Sequence, residues 1–209
     1  GRKAVRNAKR PGEASDPAQE YRIHAYENTI ETALGITAIG TMNVVGVARE
    51  EGMDTINAQG CSMFEVIQDY TVLNISNVLI KNAGINDRSA TASVVDITHD
   101  KAVVNLDNVV LEDNDGNAIY NAGTLNLNDV TVKSSGAGIN TIKNMYTMNV
   151  TGNNKFGTSI TNSGGTILFN GTNVVSADII NSGVLNVVGD VVVYANINSP
   201  EVLTGDINS

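Results

Sequence analysis

The chain has 209 residues, of which 42% are hydrophobic and 4% aromatic, and its formal net charge at pH 7 is −9. This length suffices for one core in a single domain, and the acidity argues against a basic surface that binds nucleic acid. No apolar run is long enough to span a membrane as a helix. Cys61 is the single cysteine, so the chain cannot form an intramolecular disulfide, and we expect a buried structural thiol.

Residues 1–16 differ in composition from the rest of the chain. Five of the thirteen basic residues lie here, and a Pro-Gly pair follows them: Arg2, Lys3, Arg6, Lys9, Arg10 and then Pro11-Gly12. Such a composition is typical of a solvated tail or linker. The alternative is a docking arm that binds a neighbouring subunit or an acidic surface.

Residues 17–34 are predicted to cap the fold. Asp16 and Pro17 resemble a helix start, because Asp is a favoured N-cap and Pro fits the first helical position. The apolar residues that follow at helical spacing are Ile23, Tyr26, Ile30 and Leu34. We therefore expect an amphipathic helix from Pro17 to about Ala33. The competing interpretation is an edge strand, because Tyr21, Ile23 and Ala25 also alternate.

A short motif recurs through residues 35–209. The segment Ile-Tyr-Asn-Ala-Gly-Thr-Leu-Asn-Leu at 119–127 returns, with substitutions, at 142–150, 160–167 and 179–187. Each copy contains an apolar-x-apolar triplet, and the residues that open these triplets, here called the anchors, are Met42, Leu73, Val104, Leu125, Met148, Ile167 and Leu185. Their spacings are 31, 31, 21, 23, 19 and 18 residues. A unit of this size must stack on its neighbours to bury its apolar face.

Alternation within each unit predicts short strands. Leu125 and Leu127 are separated by Asn126, the phase breaks at Asn128-Asp129, and alternation resumes at Val130 and Val132. Runs of this length between turn residues indicate three short strands per unit, one ending near Ile119, one at 125–127 and one at 130–132. A longer loop follows the third strand, and the longest loops are expected at 47–62 and 81–93.

Equivalent asparagines favour a parallel stack over an antiparallel sandwich or barrel. A parallel stack superposes the same residue type at about 4.8 Å, and asparagines so placed can bond to one another. The predicted ladder is Asn121, Asn144, Asn162 and Asn181. The chain lacks a strict hexapeptide rhythm, which favours right-handed coils. We therefore predict an all-β, right-handed parallel β-helix of about seven coils, whose core includes Leu125, Leu127, Met148, Val150, Ile167, Phe169, Leu185 and Val187.

Catalytic and metal-binding patterns are sparse. His24 and His99 lie 75 residues apart, and neither has a partner at metal-ligand spacing. Asp113 and Asp115, which precede Gly116, resemble part of a calcium loop, although Leu111 and Ala122 occupy the first and last ligand positions. We expect a polar turn there, with a calcium site as the alternative. Other carboxylates share no repeated strand position, so we expect no cofactor and no enzymatic activity; they are Asp96, Asp100, Asp107 and Asp129.

The end of the sequence continues the repeat. Ile-Asn-Ser occurs at 180–182, at 197–199 and again at the last three residues. We therefore expect the stack to continue beyond residue 209, or to pair there with another molecule.

Residues 116–127 carry a resemblance to a known group of proteins. Their sequence, Gly-Asn-Ala-Ile-Tyr-Asn-Ala-Gly-Thr-Leu-Asn-Leu, resembles the Gly-Gly-Ala-Ile-Tyr-Asn-x-Gly-Thr-Leu repeats of bacterial surface β-helices. These include autotransporter passengers and polymorphic outer-membrane proteins, and the resemblance extends over roughly residues 36–206. It implies a bacterial, secreted or surface-exposed stalk or adhesin, with no active site to carry over.

Three functions follow from these observations. The first is a surface adhesin or passenger stalk that binds a host cell, a neighbouring cell or a glycan. The second is a structural subunit that stacks end to end into an extracellular fibre. The third is a polysaccharide lyase or hydrolase, because sugar-cleaving enzymes use clustered carboxylates.

Overall fold

The protein is all-β in every part that its structure, a computed structural model, describes: residues 19–22, 29–32, 35–49, 52–84, 93–133, 141–199, 203–204 and 207–208. These residues contain no helix, and their strands pair in parallel with one exception. No helical segment among them could therefore cross a membrane. The arrangement is consistent with a solenoid-like class of fold.

Short strands follow one another along the whole described chain. The first twelve are β1 (Gln19–Arg22), β2 (Thr29–Glu31), β3 (Ile36–Thr37), β4 (Thr41–Val45), β5 (Ala48–Arg49), β6 (Gly52–Asn57), β7 (Phe64–Val66), β8 (Val72–Lys81), β9 (Ser93–Ile97), β10 (Val103–Glu112), β11 (Asn117–Asn121) and β12 (Thr124–Asn128). The others are β13 (Thr131–Val132), β14 (Thr141–Asn144), β15 (Thr147–Phe156), β16 (Ser159–Asn162), β17 (Thr166–Val175), β18 (Ile179–Asn181), β19 (Val184–Val187), β20 (Asp190–Val193), β21 (Ile197–Asn198), β22 (Leu203–Thr204) and β23 (Ile207–Asn208).

Two sheets collect these strands. The larger sheet has 15 strands, and its main path runs β1-β4-β8-β10-β12-β15-β17-β19-β22. The smaller sheet has eight strands in the order β21-β18-β16-β14-β11-β9-β7-β3. In the described part of the chain each strand of the main path therefore pairs with its counterpart one repeat away, as expected when repeats stack.

The seven anchors lie in one register across the larger sheet. Val104 pairs with Leu73 on one side and with Leu125 on the other, and Leu125 pairs in turn with Met148. The same row contains Met42, Ile167 and Leu185, and it extends to Gln19 in β1 and Leu203 in β22. The alignment read from the sequence is confirmed, and the sheet continues by one strand on each side of the seven.

A residue with left-handed backbone divides each long strand of the larger sheet into two arms. It stands four positions after the anchor, and it is Asn77, Asn108, Asp129, Gly152 or Gly171 in successive units. Asn, Asp and Gly are the residues that tolerate positive φ. The first arm contains the anchors and the second arm follows the bend. The three strands per unit and the phase break at Asn128-Asp129 are thus confirmed by β11, β12 and β13.

The core lies between the two arms and the smaller sheet. All eight residues predicted to share one core are buried, with Val187 the most accessible at 7%. The second arm adds Val109, Leu111 and Phe156, and the smaller sheet adds Ile119 and Ile160. Aliphatic side chains and three phenylalanines, Phe64, Phe156 and Phe169, fill the narrow stack, and each unit closes the core of the one before it.

Two predictions about local structure are wrong. The helix expected from Pro17 to about Ala33 is absent from the described part of that range, where β1 pairs in parallel with β4 and β2 with β6. Tertiary pairing overrides the helical spacing, as the edge-strand alternative anticipated. The segment 47–62 is not a plain loop, because β5 and β6 form an antiparallel hairpin and β6 pairs in parallel with β8.

Several predictions concern residues that the structure does not describe. They are the basic segment 1–16, His24, most of the loop expected at 81–93 and parts of the last repeat at 200–202, 205–206 and 209.

Candidate functional site

A row of buried asparagines runs through the end of the smaller sheet's strands. Asn121 Nδ2 donates to Asn144 Oδ1 at 2.7 Å, and Asn144 Nδ2 donates to Asn162 Oδ1 at 2.8 Å. Asn162 Nδ2 donates to Asn181 Oδ1 at 2.6 Å, and Asn181 Nδ2 donates to Ser199 Oγ at 3.0 Å. The four asparagines are at most 1% exposed. These bonds satisfy buried amides that would otherwise be costly.

The same asparagines hold the turn between the smaller sheet and the first arm. Asn162 Nδ2 also donates to the Gly165 carbonyl at 2.9 Å, and Asn181 Nδ2 to the Gly183 carbonyl at 2.9 Å. A Cβ at Gly183 would lie 2.2 Å from the Gly165 carbonyl oxygen and 2.8 Å from Asn162 Nδ2. The absence of a side chain at Gly183 therefore allows this turn to approach the preceding unit closely, and the ladder is a structural element.

A second asparagine ladder lies on the outer surface of the first arm. Its members stand one position after the anchors, and each donates to the asparagine of the preceding unit at 2.6–2.8 Å; they are Asn149, Asn126, Asn105, Asn74 and the acceptor Asn43. These side chains are half-buried. The second ladder donates toward the N-terminal units, whereas the buried ladder donates toward the C-terminal units.

From β4 to β19, the two central columns on the outer surface of the first arm contain no charged residue. One column precedes the anchors and contains Thr41, Val72, Val103, Thr124, Thr147, Thr166 and Val184. The other follows the anchors and contains Asn43, Asn74, Asn105, Asn126, Asn149, Leu168 and Asn186. We call these two columns the neutral face. The column beside it at the bend contains Asp107, whose Oδ1 accepts from Asn128 Nδ2 at 2.7 Å, and it continues to Arg22 in β1.

Charges concentrate on the other two surfaces. At the corresponding outward positions the second arm carries Lys81, Glu112, Lys133, Lys155 and Asp190. The smaller sheet carries Glu65, Asp96 and Lys143 in one column. The neutrality of the first arm is therefore a property of that face and not of the whole surface.

Exposed apolar side chains gather at the turn between the smaller sheet and the first arm. We call this set the exposed corner: Ile39, Ile67, Tyr70, Met145 and Tyr146. Tyr70 is 73% exposed, and Tyr120 Oη donates to Met145 Sδ at 2.9 Å. An exposed apolar cluster at turns presented by a regular stack is the kind of surface that contacts a partner.

Lys101 lies beside Tyr70 at this corner. Its Nζ lies 5.2 Å from the centroid of the Tyr70 ring and 3.3 Å from Asp69 Oδ2. The hydrogen bond and charge of Asp69, assisted by Tyr70, raise the pKa of Lys101. The group remains solvent-exposed, so water screens these interactions. The trio provides a cation, a carboxylate and an aromatic ring at the turns of two neighbouring units.

The calcium candidates lie in the turn after β10. Asp113 is exposed with a φ of 52°, and Asp115 Oδ1 accepts from the backbone N–H of its neighbour Gly116 at 2.8 Å. Between them, buried Asn114 accepts from the Ala83 N–H at 2.8 Å and joins the turn to the preceding unit. Glu112 pairs with Lys133 at 2.8 Å. Within the described ranges, no three His, Cys, Asp or Glu side chains are grouped to hold a metal ion.

The remaining reactive residues are dispersed. His99 Nδ1 lies 3.0 Å from Thr98 Oγ1, and Cys61, expected to be buried, is half-buried. Asp96 and Asp129 lie on different faces, the first in the smaller sheet and the second at a bend of the larger one. In the described part of the chain, neither belongs to a group of three His, Cys, Asp or Glu side chains that could hold a metal ion.

Sequence reasoning missed the second ladder and the neutral face. The sequence contains the pattern that indicates both features. An asparagine follows almost every anchor, and an Asn, Asp or Gly stands four positions after most anchors. Comparisons of the chain with protein-family models, with curated proteins and with solved structures find no match.

Proposed function

We propose that this chain is a right-handed parallel β-helix of about seven coils that serves as a non-enzymatic surface adhesin or passenger stalk. The observation that carries the proposal is the unbroken parallel register from Met42 to Leu185. The absence of a short fixed period supports right-handed coils. The location that goes with this function is the bacterial cell surface or the surrounding medium.

A stalk must keep its shape while its far end contacts a partner. Backbone pairing between units is supported here by two overlapping side-chain ladders, a half-buried one from Asn43 to Asn149 and a buried one from Asn121 to Ser199. Stability in such an array is the sum of unit and interface terms. Continuous ladders therefore favour a rod that does not bend between units.

An adhesin also needs a contact surface, and the exposed corner is the best candidate. It offers apolar and aromatic side chains, notably Tyr70 and Tyr146, with Lys101 beside Tyr70. Aromatic side chains supply large contact areas at a low entropic cost. A protein or glycan on a host or neighbouring cell is the expected ligand.

The test is adhesion of coated beads to cultured cells and to a glycan array. We expect binding by the wild-type chain and a loss of binding in the double variant Tyr70→Ser, Tyr146→Ser. The matched control is Tyr194→Ser, because Tyr194 is equally exposed at 74% but lies outside the exposed corner. Binding that is unchanged in the double variant would remove the corner from the proposal. Time-dependent cleavage of a glycan would contradict the non-enzymatic function.

A fibre subunit is the second candidate. In the described part of the larger sheet, β1 and β22 are the two ends of the main path, and each pairs with a strand of that path on one side only. Such an edge can accept a parallel strand from a second copy, and a contact of this kind repeats without closing. Concentration-dependent filaments in electron micrographs of the purified chain would favour this function over the adhesin.

A further inference from the structure

The neutral face differs from the rest of the surface in more than one respect. Between β4 and β19 neither of its columns contains a charged residue, although the other two outward surfaces are charged and the chain carries a net charge of −9. The charged residue next in register is Glu20 of β1, which pairs with Asn43 at one end of the face. It also contains no aromatic side chain, and aromatic rings are the large contact groups that the exposed corner supplies. The exposed groups are hydroxyls, amides and the methyl groups of Thr and Val.

Structural requirements explain only one of the two columns. The asparagine column forms a ladder from Asn43 to Asn149, which accounts for its composition over those units. The column of Thr and Val makes no such ladder, and a strand would accept Lys, Glu or Tyr at these positions, as the second arm and the smaller sheet do. The lack of charge at Thr124, Thr147 and Thr166 is thus a property that stacking does not impose.

The spacing of the neutral face is regular in two directions. Paired strands place successive members of a column about 4.8 Å apart, and the two columns lie about 6.7 Å apart, two residues along each strand. The pairing from β4 to β17 is parallel and keeps the same register throughout. The side chains therefore form a regular lattice and not an irregular patch.

The asparagine ladder also fixes the direction of its side chains. Asn126 donates to Asn105 at 2.7 Å and accepts from Asn149 at 2.8 Å, so one N–H of each amide is held along the column. The second N–H and the remaining acceptor capacity are available to a ligand at a constant spacing. A preorganised array has already lost the rotamer freedom that binding would otherwise cost.

We propose that the neutral face binds crystalline water, that is, the surface of ice. Ice consists of the same molecule as the solvent and has no net charge, so only the periodic position of its water molecules distinguishes it. A face that recognises it must be ordered, uncharged and periodic. A charged side chain would retain its own disordered hydration shell, and the two columns of the neutral face contain no charge from β4 to β19.

The test measures how much protein enters a slowly grown ice hemisphere from dilute solution. We expect enrichment of the wild-type chain in ice and its loss in Thr147→Lys, which places a charge in the middle of the neutral face. Thr161→Lys is the matched control, because it makes the same change at a half-buried outward position of the smaller sheet. Thr147→Val should remain in the ice fraction, since valine already occupies other positions of this column.

Equal urea midpoints for the two lysine variants would show that Thr147→Lys does not act by unfolding the chain. The proposal is overturned if the wild-type chain stays in the liquid, or if Thr147→Lys enters ice as the wild type does. It is also overturned if sedimentation shows a dimer that Thr147→Lys abolishes while the wild type is excluded from ice, because the face would then join two copies. Failure here leaves the adhesin proposal intact, since that proposal depends on Tyr70 and Tyr146.

Discussion

Asn144 donates a hydrogen bond of 2.8 Å to Asn162, its counterpart one unit later, and both side chains are buried. The eighteen residues that separate them along the chain make a whole turn of the repeat. One side-chain bond therefore reports the stacking of two units, and the same relationship holds for the pair Asn162 and Asn181.

Replacing Asn144 with alanine should destabilise the chain by about 1–3 kcal/mol or more, because a buried donor on Asn121 and a buried acceptor on Asn162 lose their partner. The control is Asn126→Ala, which interrupts the half-buried ladder, where water can replace the lost bonds. We expect a smaller loss of about 0.5–1.5 kcal/mol there. Urea midpoints measure both, and an equal loss would contradict the distinction between the two ladders.

Leu127→Ala should lower the free energy of unfolding by about 2–5 kcal/mol, because Leu127 is only 1% exposed within the core. Thr124→Ala removes an outward side chain of the same strand and should cost far less. The two variants together test the alternation along β12. Coincident midpoints in urea would show that the alternation is wrong.

Val191→Asn and Val109→Asn make the same change in one buried column of the second arm, next to different neighbours. Val109 pairs with the apolar Val78, so a buried amide there should cost about 2–4 kcal/mol. Val191 pairs with Asn173, whose buried Nδ2 makes no hydrogen bond in the described residues. The amide carbonyl introduced by Val191→Asn could accept from this Nδ2, so we expect a clearly smaller loss. Thermal denaturation compares the two, and a greater loss at position 191 would count against this pairing.

Gly183→Ala should destabilise the turn before β19, because its Cβ would press on the Gly165 carbonyl oxygen. Hydrogen exchange should then be faster in β18 and β19 than in the wild-type chain. Gly164→Asn is the comparison, since position 164 has a φ of +80° with open space around it and Asn tolerates such a conformation. Unchanged protection in Gly183→Ala would mean that the turn can relax.

The repeat allowed much of the fold to be predicted. The anchors from Met42 to Leu185 are irregularly spaced in the sequence, yet each pairs with the next in the larger sheet, as the sequence alignment predicted. The reason is that each unit must present the same residue types at the same position of its coil. The buried side chains of β12 and β15 followed from simple alternation. The local pattern did not predict the secondary structure of residues 17–34, because these residues fit both the strand period and the helix period. Tyr21 and Ile23 alternate as in a strand, while Ile23 and Tyr26 have helical spacing.

The sequence by itself determined which residues are equivalent, since identical turn residues and alternating apolar positions recur whatever the spacing between them. Only the tertiary structure decided that β1 and β6 join the larger sheet, because their partners lie 23 to 24 residues away and local propensity does not contain that pairing. It also decided the opposite directions of the two ladders and the separation of charge between faces. The separation of charge between the two arms depends on the bend at residues such as Asn108 and Asp129, which turns two stretches of one alternating strand toward different surfaces.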